Sequence, residues 1–495
     1  MTRIDQSSQR AAIDWRSFDV DSGQQVQFQQ PSANAVTLNR VTSADPSQIA
    51  GKITANGQVV VVNQSGVLFT KGAQVNAQSV VVSAAGITNQ NFMAGRMVFD
   101  QPARPDAQIV NEGRITVKQA GLAALVAPQV KNAGMISAKL GHVILGGAET
   151  HTLDLYGDGL LSFDVTGQVR QAPVDKYGKT QTTLVTNTGA IQADGGTVLL
   201  TALAVDGVVQ NLVTAGGKIS ASSVGDKTGT IVLGGTGGSL MVAGTLTADG
   251  HAPGTTGGQI QVASTGDAMV AAGARVDASG RAGGGTVAIG TTLARAKGGP
   301  SVSPSVLARN TTIKKGATVS ADATQYGRGG NVTVLSANAT QHNGAITARG
   351  GPQSGNGGTV EMSGQTLGLV GTTYADARAP YGAPGSILLD PAKITIVHGG
   401  SGTSDGALPV VDLAPTSYVN ATVSDTAINL SGVNNNITIS AANVAVNGTV
   451  VINIPKTITL LADETVFVSN GASITANGIT IDSRTVSTAN TLAVT

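Results

Sequence analysis

A unit of two glycines followed by alternating apolar residues returns along this chain, and it admits few folds. It stands at Gly195-Gly196-Thr197-Val198, Gly257-Gly258-Gln259-Ile260-Gln261-Val262 and Gly284-Gly285-Thr286-Val287-Ala288-Ile289. It returns at Gly329-Gly330-Asn331-Val332-Thr333-Val334 and Gly357-Gly358-Thr359-Val360-Glu361-Met362, and in degenerate form at Gly385-Ser386-Ile387-Leu388-Leu389. The second glycines, at 258, 285, 330 and 358, lie 27, 45 and 28 residues apart, and the long gap reads as an insertion from Arg295 to Pro304. A second unit, Gly-x-Ile/Val/Leu-x-Ala, alternates with the first, as in Asn187-Thr188-Gly189-Ala190-Ile191-Gln192-Ala193 and Gly344-Ala345-Ile346-Thr347-Ala348. Each unit is a short strand of period two bounded by a turn, and no window carries a sustained apolar period of 3.6 residues that would place a substantial helix.

Strands this short cannot bury a face alone. Stacked coils pair each strand with its counterparts above and below, which satisfies the backbone and sets Ile on Ile in the core. The expected fold is therefore all-β: a right-handed parallel β-helix, or β-solenoid, with minor antiparallel hairpins. At one strand spacing per coil, about 20 coils would make a rod of roughly 100 Å. A β-sandwich, the competing reading, needs hairpin turns; the Asn-Gly dipeptides at Asn56, Asn343, Asn447, Asn470 and Asn477 are read as isolated hairpins decorating the rod.

Composition agrees. The 495 residues include 66 glycines, with 12% charged and 3% aromatic residues, against roughly 25% charged and about 7% glycine in average soluble proteins. At 41% hydrophobic the chain has apolar surface to bury, so disorder is the wrong reading. The net charge is +1 and no Lys/Arg cluster occurs, which predicts no nucleic-acid footprint. Cysteine is absent, excluding disulfides and thiol chemistry. No run of about 18 apolar residues occurs, and Met1-Thr2-Arg3-Ile4-Asp5-Gln6-Ser7 is not a signal peptide, so the reading is a chain whose leader is absent.

The first hundred residues hold the only Trp and fewer Gly-Gly pairs. The run from Gln6-Ser7-Ser8-Gln9-Arg10-Ala11-Ala12-Ile13-Asp14-Trp15 to Val20 is followed by Val26-Gln27-Phe28, Ala35 to Val41, and Ile49-Ala50-Gly51-Lys52-Ile53-Thr54-Ala55-Asn56-Gly57. Next come Val62-Asn63-Gln64-Ser65-Gly66-Val67-Leu68-Phe69 and Gly72-Ala73-Gln74-Val75-Asn76. In order and spacing these segments resemble the amino-terminal secretion domain of the filamentous haemagglutinin family, the exoproteins of two-partner secretion. The likeness extends to about residue 205, through Leu153-Asp154-Leu155-Tyr156-Gly157-Asp158-Gly159, and Gly385-Ser386-Ile387-Leu388-Leu389-Asp390-Pro391 is also typical. Where the family has Asn-Pro-Asn-Gly this chain has Asn63-Gln64-Ser65-Gly66, a secretion-motif-like turn without its preset proline. The segments ahead of Ile4 that relatives carry, a signal peptide and first capping strands, are missing. The resemblance implies passage through an outer-membrane transporter partner, folding outside the cell coil by coil, and a role as adhesin, cytolysin or toxin carrier.

The residues nominate no chemistry. His142, His151, His251, His342 and His398 have no metal-ligand spacing and read as solvated turn or flank residues, so no metal and no cofactor are expected. An enzyme reading, a carbohydrate-active lyase or hydrolase, needs grouped carboxylates. In register, Asp249, Ser279, Asp322 and Arg349 form a mixed turn column rather than an acid cluster, and Asp154, Asp158 and Asp164 read as turn caps. The expected organisation is a secretion-like β-helix over 1–205, a Gly-rich repeat β-helix over 206–397 and an Asn-rich continuation over 398–495. The expected function is a secreted or cell-surface adhesive or matrix-forming rod, not an enzyme. Its expected partners are the transporter, host or matrix carbohydrate or protein, and copies of itself end to end.

Overall fold

The computed structural model describes residues 1–153, 163–175, 177–297, 307–369, 374–391, 393–398, 421–425, 428–429 and 435–488. They form two compact units, Met1–Thr247 and Ala248–Thr495, and each is a parallel β-helix. In each, a coil contributes three short strands, and like strands of successive coils pair in parallel into three sheets. The three-strand coil is more than the sequence reading resolved, because only two of the three strands carry a glycine-led apolar signature.

In the first unit, register sets like on like. On the first sheet Ile53, Val75, Ile115, Ile136, Ile191 and Ile219 follow one another inward, all buried. Burying each such side chain is worth about 1.5–3 kcal/mol. The third sheet hides polar residues inside. Asn111, Asn132 and Asn187 are stacked and wholly buried; Asn111 Nδ2 donates to Asn132 Oδ1 at 2.7 Å, and Asn132 Nδ2 donates to Asn187 Oδ1 at 2.7 Å. The ladder pairs each of these amides to the next, which is what makes their burial tolerable.

The second unit explains the glycine pairs. The second glycine of each pair donates its N–H to the carbonyl of the preceding strand's closing alanine: Gly258 to Ala248 at 2.6 Å, Gly285 to Ala278 at 2.8 Å, Gly330 to Ala321 and Gly358 to Ala348 both at 2.7 Å. At these corners successive coils approach so closely that a Cβ on Gly285, Gly330 or Gly358 would overlap the carbonyl of the corresponding glycine one coil below. The repeat is thus a steric requirement of stacking. Downstream, Asn436–Val446, Val451–Val468 and Ser473–Thr488 continue as longer strands in parallel pairing.

Short helices at Asn89–Met93 and Leu293–Ala296 are capped by Thr88 and Thr292. The second overlaps the start of the Arg295-to-Pro304 insertion in the 45-residue gap; residues 298–304 of that insertion, including Gly298-Gly299-Pro300, lie outside the described residues. Antiparallel pairing is present, but not at the Asn-Gly dipeptides. Asn56-Gly57 and Asn343-Gly344 are corners between strands of different parallel sheets, and Asn477-Gly478 lies within Ser473–Thr488. The antiparallel elements are instead Met97–Phe99 with Thr150–Leu153 and Phe163–Gly167, and the bridges Gly86–Gln101, Val174–Thr180 and Val224–Lys227. An Asn-Gly pair satisfies any sharp corner, so the dipeptide alone does not select a hairpin.

Candidate functional site

The most elaborated part of the chain is the outer side of the second sheet in the first unit. Strands Gln58–Val62, Ser79–Ser83 and Leu122–Ala127 are buried at every position. A strand whose two faces are both covered reads as a continuous apolar run, as Val59-Val60-Val61-Val62 does. Val59 and Val61 face inward; Val36, Leu38, Val60, Val62, Val81 and Ile144 face outward into a second core. That core is closed by Phe92 of the short helix and by Met97, Phe99, Leu153 and Phe163 of the antiparallel sheet.

Arginines of the first coils hold the cover in place. Arg10 Nη1 donates to the Phe92 carbonyl at 3.2 Å, and its guanidinium lies 5.5 Å from the Phe92 ring centroid. Arg40 grips Asp14 through Nε at 2.7 Å and Nη2 at 2.9 Å while Nη1 donates to the Ile87 carbonyl at 3.2 Å. Trp15, on the same strand as Asp14, donates from Nε1 to Asn39 Oδ1 at 3.0 Å. The segment Gln6 to Trp15 that carries the family resemblance is thereby joined to the cover rather than to the inner core alone.

The turn Asn63-Gln64-Ser65-Gly66 is close by. The Asn63 carbonyl accepts the Gly66 N–H at 2.9 Å and its Oδ1 accepts the Ser65 N–H at 2.9 Å, so the side chain mimics a backbone turn. Asn63 is fully buried and its Nδ2 donates to the Asp45 carbonyl and Ser47 Oγ, each at 3.0 Å. Gly66 supplies the left-handed backbone, with φ +105°, and a Cβ there would overlap the Gln108 carbonyl. In place of a proline ring, Gln64 Nε2 donates to the Pro102 carbonyl at 2.9 Å, and Arg104 Nη1 reaches Ser65 Oγ at 3.2 Å and the Ala44 carbonyl at 3.1 Å. Tertiary bonds do here what a proline would do locally.

The histidines divide. His251 and His398 are exposed and accompany Asp249 and Asp425, as flank residues should. His151 and His342 are fully buried, which corrects the reading of all five as solvated. His342 takes the inward place of Ile313 in the next coil. His151 stacks on Phe99 with centroids 4.4 Å apart and 14° between planes, and faces Phe163 at 5.8 Å. Neither of its ring nitrogens has a hydrogen-bond partner, and burial pushes its pKa down to about 3, so it is a neutral part of the apolar cover. The alternation Thr150-His151-Thr152-Leu153, with His151 on the side of Leu153, is the sequence cue to its burial.

The column Asp249, Ser279, Asp322, Arg349 is in register as expected, and it is a corner of ion pairs. Asp277 meets Arg275, Asp322 meets Arg349 and Asp376 meets Arg378, each at 2.6 Å, while Asp249 faces His251 at 2.9 Å. Ser279 Oγ accepts the Asp322 N–H at 3.1 Å, joining two coils. Asp164 is exposed on the antiparallel sheet; Asp154 and Asp158 lie outside the described residues. Among the described residues no group of three His, Asp or Glu side chains is placed to hold a metal ion.

With that geometry in hand, the comparisons are specific. The family model for the TPS secretion domain matches residues 1–248. The heme/hemopexin-binding protein of Haemophilus influenzae strain KW20/Rd is 33% identical over 237 residues, 46% of this chain and 24% of that protein. A second heme/hemopexin-binding protein of Haemophilus influenzae is 37% identical over 110 residues, 22% of this chain and 12% of that one. The matches thus span a quarter or less of these relatives' length. Among solved structures, the HMW1 secretion domain from Haemophilus influenzae aligns with a TM-score of 0.60 at 28% identity, over 78% of this chain and 96% of that one.

Proposed function

The chain belongs to the TPS secretion domain family, the exoproteins of two-partner secretion, and from that premise we propose that it is an exported adhesive or matrix-forming scaffold. Its first unit is the part presented to an outer-membrane transporter, and the rest of the β-helix is the surface it displays outside. The observation that carries the export reading is the doubly covered sheet clamped by Arg10 and Arg40, which ties the family-like amino-terminal segment to a cover absent from a plain repeat coil. Each coil contacts its neighbours, so folding can advance from the end that emerges first without an external energy source.

The Asn63–Gly66 turn is assigned to the same task. Its Asn63 and Gly66 are buried, it is cross-tied to residues 45–47 and 102–104, and it occupies the position of the family motif it resembles. The scaffold reading, rather than a carbohydrate-active enzyme, is supported by the acids of this corner, of which Asp277, Asp322 and Asp376 each face an arginine and Asp249 faces His251. The heme/hemopexin binding named for the relatives does not carry over, since the likeness covers a quarter of those proteins or less.

Export is tested by expressing the chain, behind a signal peptide, with a cognate transporter and measuring the secreted fraction. Deleting residues 6–76 should abolish secretion, and Gly66→Ala should reduce it sharply because the side chain collides with backbone. Unchanged secretion of the deletion variant sinks the reading.

A further inference from the structure

In the second unit the corner between the first and second sheets is built from loops spanning 279–285, 322–330, 349–358 and 378–385. They stack by backbone hydrogen bonds: Tyr326 N–H to the Arg281 carbonyl at 2.9 Å, Gln353 to Gln325 at 3.0 Å, Gly327 to Ser354 at 2.8 Å and Gly357 to Ala383 at 2.9 Å. A glycine column makes this possible, since a Cβ on Gly355 would overlap Gly327 and one on Gly382 would overlap Gly355. The loops therefore repeat at the strand spacing, which places Tyr326 and Tyr381, two coils apart, about 10 Å from each other.

The composition of this ladder is out of keeping with the chain. Two of the six tyrosines are in it and both are exposed, at 36% and 73%. Of the eight arginines after residue 247, Arg275, Arg281, Arg328, Arg349 and Arg378 lie on or beside it, leaving Arg295, Arg309 and Arg484 elsewhere. Arg349 and Arg378 are held on buried Asp322 and Asp376, each with more than two fifths of its side chain exposed. Arg281 and Arg328 bond to neutral groups, Gln325 Oε1 at 3.0 Å and Thr359 Oγ1 at 3.2 Å, so their charge is not offset locally.

We propose that this corner is a docking strip for a linear acidic polysaccharide, its sugar rings lying on Tyr326 and Tyr381 and its carboxylates facing the adjacent arginines. A phenol ring offers an apolar face with a polar edge, and two such faces about 10 Å apart match the length of a disaccharide step. Rigid stacked loops present both in a fixed array, so little ordering is required on binding. The proposal rests on the scaffold reading above; the two fail separately, since export is scored by secretion and docking by binding of purified chain.

The test is binding of the purified full chain to alginate, a polyuronate, with neutral dextran as control, over a series of NaCl concentrations. Alginate should bind and dextran should not. Tyr326→Ala with Tyr381→Ala should weaken binding tenfold or more with the salt dependence kept. Arg281→Gln with Arg328→Gln should weaken it and flatten the salt dependence. Arg309→Gln, elsewhere on the unit, should bind as the unaltered chain does, and circular dichroism should be the same for all variants. Absence of alginate binding, equal binding to dextran, or binding that the tyrosine pair leaves unchanged would each overturn the proposal.

Discussion

The two units stack the same kind of coil and finish the outside of the second sheet in opposite ways. In the first, the outward column runs through Leu38, Val60, Val81, Ala124 and Ile144, and a helix and an antiparallel sheet cover it. In the second, the corresponding column runs through Gln261, Ala288, Thr333 and Glu361, and the helix Leu293–Ala296 lies against it through polar bonds: Leu293 N–H to Gln261 Oε1 at 2.9 Å and Arg295 to Glu361 at 2.5 Å. An inner ladder of aliphatic residues is enough to build a coil. What is added outside, an apolar cover in the first unit and a helix held by polar bonds in the second, is what sets the two units apart.

That contrast can be broken in graded steps. The largest effect is expected from Phe99→Ala, which opens a cavity in the cover and should cost about 3–5 kcal/mol; hydrogen exchange should speed up at residues 58–62 and 79–83 and stay unchanged in the second unit. Next is acid. His151 is neutral in the folded chain, its pKa pushed from 6.5 to about 3 by burial. The unfolded chain therefore takes up this proton first as pH falls. The stabilisation is whole above pH 6.5 and is lost as pH drops from there toward about 3, at up to about 1.4 kcal/mol per pH unit. His151→Phe should flatten that limb in urea unfolding measured across pH, and an unaltered limb would remove His151 from the cover's energetics.

A smaller loss, about 1–3 kcal/mol, is expected from Asn132→Ala, which strands the amides of Asn111 and Asn187 in the first unit's interior; thermal unfolding reads it. The smallest is Arg3→Ala. Its pair with Asp5 is more than half exposed on both sides, so the change should stay within about 0.5 kcal/mol. A large effect there would mean the first strand matters more than its burial indicates.

The repeat, the strand-rich parallel fold and the family-like segments were legible in the residues, because each depends on local spacing that any coil must repeat. The mixed Asp249-Ser279-Asp322-Arg349 column was legible for the same reason: one register fixes every member. Of the Asn111-Asn132-Asn187 ladder, Asn187 heads a repeat unit legible in the sequence, yet nothing local announces that an asparagine two residues before a glycine turns inward. His151 was misplaced because its burial depends on Phe99, about fifty residues earlier, and on Phe163 of the paired antiparallel strand.

The sequence alone therefore determined the coil: alternating apolar residues choose the strand, and paired glycines allow coils to approach until their backbones bond. Only the tertiary structure decided which outward faces meet water. Val60 and Thr333 obey the same period of two, and what lies over each comes from segments distant along the chain, joined through side chains such as Arg10, Arg40 and Arg295. Periodicity is a local property and can be read along the chain; the covering of a face is a property of what folds back onto it.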